Sequence, residues 1–226
     1  MTFEGFRPQA FRFLRGIARN NNRAWFEQHR SDYERYLLEP AKDLVEALGG
    51  RLRRLSKDVQ FEPRVNGSIR RINRDIRFSP DKRPYKDHLD LWFWQGKGQM
   101  GEAPGYWFRL RADTLLLGAG LHEFSSATLE RYRAAVVDET RGRALQRALT
   151  KTLRAGYELG GRRYKRVPSG FDPGHPRAEL LLHNAIHVGV ETPLPPEVAT
   201  PDFPAFCFDR YRGMSPVQNW LAALIA

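Results

Sequence analysis

Apolar positions in the first third of the chain recur every three or four residues, the spacing of helices with one buried face. Ala10, Phe13, Leu14, Ile17 and Ala18 mark the first such run, opened by Pro8 and closed by Asn20-Asn21-Asn22. Asn22 is placed to cap a second helix whose inward face is Trp25, Phe26, His29, Tyr33 and Leu37. A third run follows Pro40 through Ala41, Leu44, Val45, Leu48, Leu52 and Leu55, and Gly49-Gly50 in its middle weakens the expectation of an unbroken helix. The period then shortens to two. Leu89, Leu91 and Phe93 alternate with polar or amphipathic neighbours, and Tyr106, Phe108 and Leu110 repeat the pattern. Ala112-Asp113 separates that strand from Thr114–Leu117, which predicts an antiparallel hairpin. The glycine-rich stretch Gln95 to Gly105 predicts a mobile loop between strands.

The helical period returns in the last part. Ser126 is the predicted cap of a run through Leu129, Tyr132, Ala135 and Val136, and Gly142 to Arg154 forms a further helix with Leu145, Ala148, Leu149 and Leu153 inward. Arg162 to Val167 and Ile186 to Val190 read as strands, Pro168–Pro176 and Pro193–Pro204 as loops. Ser215-Pro216 opens a predicted terminal helix with Trp220, Leu221 and Leu224 inward. The whole reads as one α+β domain over residues 1–226, a central antiparallel sheet flanked by N-terminal and C-terminal helices. Its 226 residues suit one large domain.

Composition narrows the class without naming a reaction. The longest apolar run, Leu115 to Leu121, is far short of the roughly 20 residues of a bilayer span. Met1-Thr2-Phe3-Glu4 is not the start of an export signal, and a lone Cys207 permits no internal disulfide or cysteine zinc site. A reducing cytoplasm is the expected location.

Charge changes the picture more. The chain carries a net +11, concentrated in two windows. Between Arg64 and Lys86, eight basic residues stand against Asp75 and Asp81; between Arg141 and Arg166, nine stand against Glu158 alone. A nearly neutral body with two basic patches is built to meet anions. A genome's base composition accounts equally for 30 Arg against 7 Lys.

The first window holds the densest chemistry, from Ile69 to Lys86. As a strand it puts Ile72, Ile76 and Phe78 on one face with Arg70 and Arg74; as a helix it aligns Ile69, Ile72 and Ile76. The β-pattern that follows favours the strand. Either way an arginine sits beside apolar neighbours, so Arg74 requires a carboxylate, a carbonyl cluster or a bound anion. Planar guanidinium groups with nearby lysines suit phosphate. The expected anion site is Arg74, Arg77, Lys82 and Lys86, oriented by Asp75 and Asp81 and walled by Tyr85. The competing expectation is an internal salt-bridge network that fixes the Ser79-Pro80-Asp81 turn. A third is a metal-dependent phosphoryl or phosphodiester enzyme using Asp75 or Asp81.

Three stretches carry a resemblance: Asn22-Arg23-Ala24-Trp25-Phe26, the long motif from Arg71 to Lys86, and Gly118-Ala119-Gly120. On these the chain resembles the family catalogued as domain of unknown function 2461, over nearly its whole length. The resemblance supports the fold boundary and the reality of the motif, and implies no reaction. A proline is expected shortly after Gly120; Leu121-His122-Glu123-Phe124 lacks it, so the loop departs from the family pattern.

Familiar enzyme signatures fail. Gly96-Lys97-Gly98-Gln99-Met100-Gly101 has dinucleotide-binding spacing, but Pro104 and Gly105 intervene before any helix. His122-Glu123 has no second histidine at helical spacing, and His183 and His187 would suit a metal only on a helix, whereas Ile186 to Val190 reads as a strand, so neither marks a metal site. Cys207 reads as a small buried hydrophobe, and Asp75 and Asp81 among arginines make a poor oxygen cage. No metal or cofactor is expected.

The second window forms a stripe, Arg143, Arg147, Lys151 and Arg154, on the polar face of its helix. It could track a nucleic-acid backbone without reading sequence, with Tyr157 and Tyr164 for stacking. A solvated helix face explains the stripe as well. It is neither wide nor apolar enough for a membrane-surface helix.

Overall fold

Pro8 starts α1 (Pro8–Arg19) because a first-turn residue needs no N–H partner, and its apolar stripe Ala10, Phe13, Leu14 and Ile17 is buried as the spacing predicts. The structure, a computed structural model, describes residues 2–96 and 103–226. The Asn22 side chain accepts a hydrogen bond from the Trp25 N–H and caps α2 (Arg23–Gln28). A short α3 (Arg30–Asp32) runs through a π-helical segment, Tyr33–Leu38, into α4 (Glu39–Leu52). Pro40 brings no N–H to that ladder and crowds the carbonyl one turn back; the wider register directly precedes it. Gly49-Gly50 does not interrupt α4. At Gly49 a Cβ would stand 2.4 Å from the Phe61 ring, so the glycine lets that ring lie against the helix.

The sheet has six strands in the order β1-β2-β3-β4-β6-β5, every neighbour antiparallel. They are β1 (Val59–Gln60), β2 (Leu89–Gln95), β3 (Gly105–Leu110), β4 (Thr114–Leu121), β5 (Glu158–Arg162) and β6 (His183–Pro193). The predicted hairpin is β3–β4, with β4 running four residues further than its period suggested. The strand expected at Arg162–Val167 lies earlier, because β5 ends at Arg162 after an irregularity around Gly161, which takes a φ of +96°. Most of the G-x-G-x-x-G spacing, and of the Gln95–Gly105 stretch expected to be mobile, lies outside the described residues.

Ser125, rather than Ser126, caps α5 (Ser126–Val137), and Asp138 caps α6 (Glu139–Arg154). The terminal helix also begins earlier than expected: α7 is continuous from Phe203 to Ile225 with Pro216 inside it. Proline leaves the Arg212 carbonyl without its usual partner, and the Ser215 hydroxyl donates to that oxygen at 2.8 Å. The buried face Cys207, Phe208, Tyr211, Met214, Val217 and Leu221 carries the helix across the proline. That face packs on the sheet, with Tyr211 against Tyr106 and Phe203 against Phe108. Buried side chains from both groups of helices and the sheet make one contiguous core. No helix among the described residues is long and apolar enough to cross a membrane.

Candidate functional site

The motif from Ile69 to Lys86 is neither strand nor helix. It meets its surroundings through isolated bridges, Ile69 to Leu91 and Asn73 to Tyr85, and extends the open edge of β2. The Arg70 N–H donates to the Asp90 carbonyl and the Trp92 N–H to the Ser68 carbonyl. Further along, the Arg74 N–H reaches the Pro84 carbonyl and the Lys86 N–H the Ile72 carbonyl. Asn21 closes the segment from the helical side, accepting from the Tyr85 N–H at 2.9 Å and donating to its carbonyl at 3.0 Å. Ile69, Ile72 and Tyr85 are the buried pegs, while Phe78, expected to share a face with Ile72, is 93 % exposed. Irregular backbone presents several arginines on one side here, which a strand's alternation would divide between two faces.

These side chains line an open cleft of about 570 Å³. Arg70, Arg71, Arg74 and Lys86 converge on it, with Asn73 and His88 between them and Asp75 the only carboxylate lining it. Of the expected anion-binding residues the structure thus brings Arg74 and Lys86 together. Arg77 and Lys82 are not on the cleft wall. Arg77 pairs with Asp75 at 2.7 Å in an exposed fork, and the Lys82 ammonium donates to the Ile76 carbonyl at 3.0 Å. Tyr85 does not wall the cleft; its ring is buried and stacked on Phe26 at 4.4 Å. The partner that Arg74 required is Asp81, at 2.5 Å, a carboxylate that Arg83 also binds at 2.8 Å. Hydrogen bonds from Arg83 and Arg74 hold the Asp81 carboxyl well below the usual range, and Arg77 does the same for Asp75.

A residue absent from the sequence reading sits behind the cleft. Asp90, on β2, receives Lys86 at 3.1 Å, His88 at 3.2 Å and Arg109 at 2.7 Å. Burial pushes its carboxyl up, but the hydrogen bonds and charges of His88 and Arg109 outweigh this and hold it well below the ordinary value. A carboxylate at an outward position of an otherwise apolar strand was the available signal. Among the described residues, no carboxylate lies within ion-pair reach of Arg71, and no cluster of three or more His, Cys, Asp or Glu side chains could hold a metal ion.

The second patch is as predicted in position. Arg143, Arg147, Lys151 and Arg154 line a shallow depression of about 780 Å³ beside the Pro176 loop. Arg143 pairs with Glu139. Tyr157 is unavailable for stacking, because it is buried and donates to the Arg210 carbonyl, and Tyr164 lies under Arg133. Arg177 is the unforeseen member. Its guanidinium is buried and donates to the Val136, Val137 and Asp138 carbonyls where α5 ends, and to Glu139. Gly142 makes room for it, since a Cβ there would stand 2.4 Å from the Arg177 Nε. His183 and His187 lie on β6, and Cys207 is fully buried with its thiol pushed up by desolvation.

Fold and cleft together define an α+β protein with an antiparallel sheet and a cation-lined groove along one sheet edge. The chain belongs to the family described as conserved hypothetical protein DUF2461, whose match spans residues 9–220. No curated protein matches it.

Proposed function

We propose that the protein binds a phosphate-bearing anion, of a nucleotide or a nucleic acid, in the cleft formed by Arg70, Arg71, Arg74 and Lys86. The observation that carries this reading is the convergence of four cationic side chains on one cleft lined by a single carboxylate. Guanidinium groups offer bidentate hydrogen bonds to phosphate, and the ammonium adds charge. Asp81 and Asp90 hold Arg74 and Lys86 from behind, which lowers the cost of ordering them around a ligand. The test is calorimetric titration with inorganic pyrophosphate and filter binding of a single-stranded oligonucleotide over rising salt. Saturable binding that weakens with salt and with Arg71→Ala or Arg74→Ala is expected. No binding to either probe, or indifference to both substitutions, overturns the reading.

The ion pairs favour a second reading, in which the motif only staples the turn to the sheet. Arg74–Asp81–Arg83 and the Lys82 bond to the Ile76 carbonyl support it. On that reading Arg74→Ala lowers the melting temperature while no anion raises it.

A further inference from the structure

The sheet face turned away from α7 is not built like a solvated face. Register places Trp92 opposite Trp107, Trp107 opposite Gly118, and His187 opposite both Gly120 and Gly160. The rings lie down across the glycines: a Cβ on Gly118 would stand 2.2 Å from the Trp107 indole, and one on Gly160 2.0 Å from the His187 ring. Trp92 and Trp107 are nearly parallel, 8° apart with centroids 5.9 Å from each other. His122 stands 4.1 Å from Trp107 and 4.6 Å from His187, ring centre to ring centre.

A pocket of about 300 Å³ opens over Trp92, Trp107 and His122, with Arg70, Arg109 and the Asp90 carboxylate also on its wall. It adjoins the cationic cleft. Arg70 lines both, and Lys86 and His88 from the cleft meet Arg109 from the pocket on the shared carboxylate of Asp90. The Trp92 indole N–H is buried and has no hydrogen-bond partner among the described residues. That N–H is closed off from the pocket, so what Trp92 offers a ligand is its ring face. Burial holds the His122 and His187 imidazoles below the ordinary histidine value, His187 at about 4, so these rings are uncharged near neutral pH.

We propose that this pocket receives a purine or pyrimidine base, and that the ligand of the joined site is a nucleoside monophosphate. Its phosphate lies among the arginines, and its base lies flat against the Trp92 ring face. The inference rests on the phosphate reading of the neighbouring cleft. A base needs ring faces and few polar partners, which is what the pocket offers. A sugar would need partners for its hydroxyls, and the Asp90 carboxylate is already engaged by Lys86, Arg109 and the His88 ring.

The experiment titrates the full chain with AMP, UMP, ribose 5-phosphate and inorganic phosphate, followed by calorimetry and tryptophan fluorescence. AMP or UMP binds about tenfold tighter than ribose 5-phosphate, the scale of one base–aromatic stack, and quenches the fluorescence. Trp92→Leu and, separately, His122→Ala remove most of that advantage and leave inorganic phosphate binding unchanged. A nucleotide that binds no tighter than ribose 5-phosphate overturns the base pocket, as does an advantage that survives both substitutions. In those outcomes retained phosphate binding leaves the phosphate reading intact. If none of the four ligands binds, the base pocket falls, and pyrophosphate and the oligonucleotide decide the phosphate reading separately.

Discussion

Replacing Asp90 with asparagine removes the one charge that Lys86, Arg109 and the His88 ring share, while keeping the side chain's shape. Lys86, His88 and Arg109 approach its oxygens between 2.7 and 3.2 Å, and the carboxylate is only 16 % exposed. Hydrogen bonds to charged groups contribute about 1.5–3 kcal/mol each. Asparagine retains one acceptor oxygen, and Arg109 at 36 % exposure is partly screened, so the sum overstates the loss. An overall destabilisation of about 2–3 kcal/mol is expected, with the Lys86 and Arg109 charges left facing one another. For a domain of this size that lowers the melting temperature by about 5–10 °C at pH 7. The folded carboxyl titrates well below its unfolded value near 4, so its contribution is present above about pH 4 and fades as the folded group protonates. Thermal melts of Asp90→Asn and the parent, read by circular dichroism, therefore diverge at neutral pH and converge in strong acid. Melts that agree within about 1 °C at pH 7, or a gap undiminished in acid, refute the argument.

Two further substitutions test how the surroundings of the sites are held. Gly118→Ala places a methyl group 2.2 Å from the Trp107 indole, which must move off the sheet to admit it, so a loss of about 1–3 kcal/mol and a shifted tryptophan emission are expected in urea unfolding. Arg177→Met keeps the volume but strips three carbonyls at the end of α5 of their donor, and a loss of about 3 kcal/mol or more is expected by the same measurement.

Much of the fold was open to local reasoning. Asn22 as a cap, the stripe of α1, the alternation of β2 and β3 and the polar face of α6 all follow from neighbours in sequence, because capping and amphipathic burial act over one or two turns. Where local rules failed, burial had overruled them. Pro216 lies within a helix because the residues on both sides of it share one buried face and Ser215 supplies the missing bond. Gly49-Gly50 persists in α4 because the Phe61 ring fills the space a side chain would take.

The candidate site divides along the same line. The surplus of basic residues between Arg64 and Lys86, and the need of Arg74 for a partner, were evident from composition and from the cost of burying a lone charge. Which cations would share a cleft was not, since an irregular segment has no period from which to read direction. Asp90, Arg109, Trp107 and His122 come from three separated stretches of chain, and only the antiparallel register of β2, β3 and β4 brings them beside Arg70. Sequence alone determined the charge, the helical and strand periods and the motif; pairing across strands, which depends on contacts dozens of residues apart, decided where that charge points.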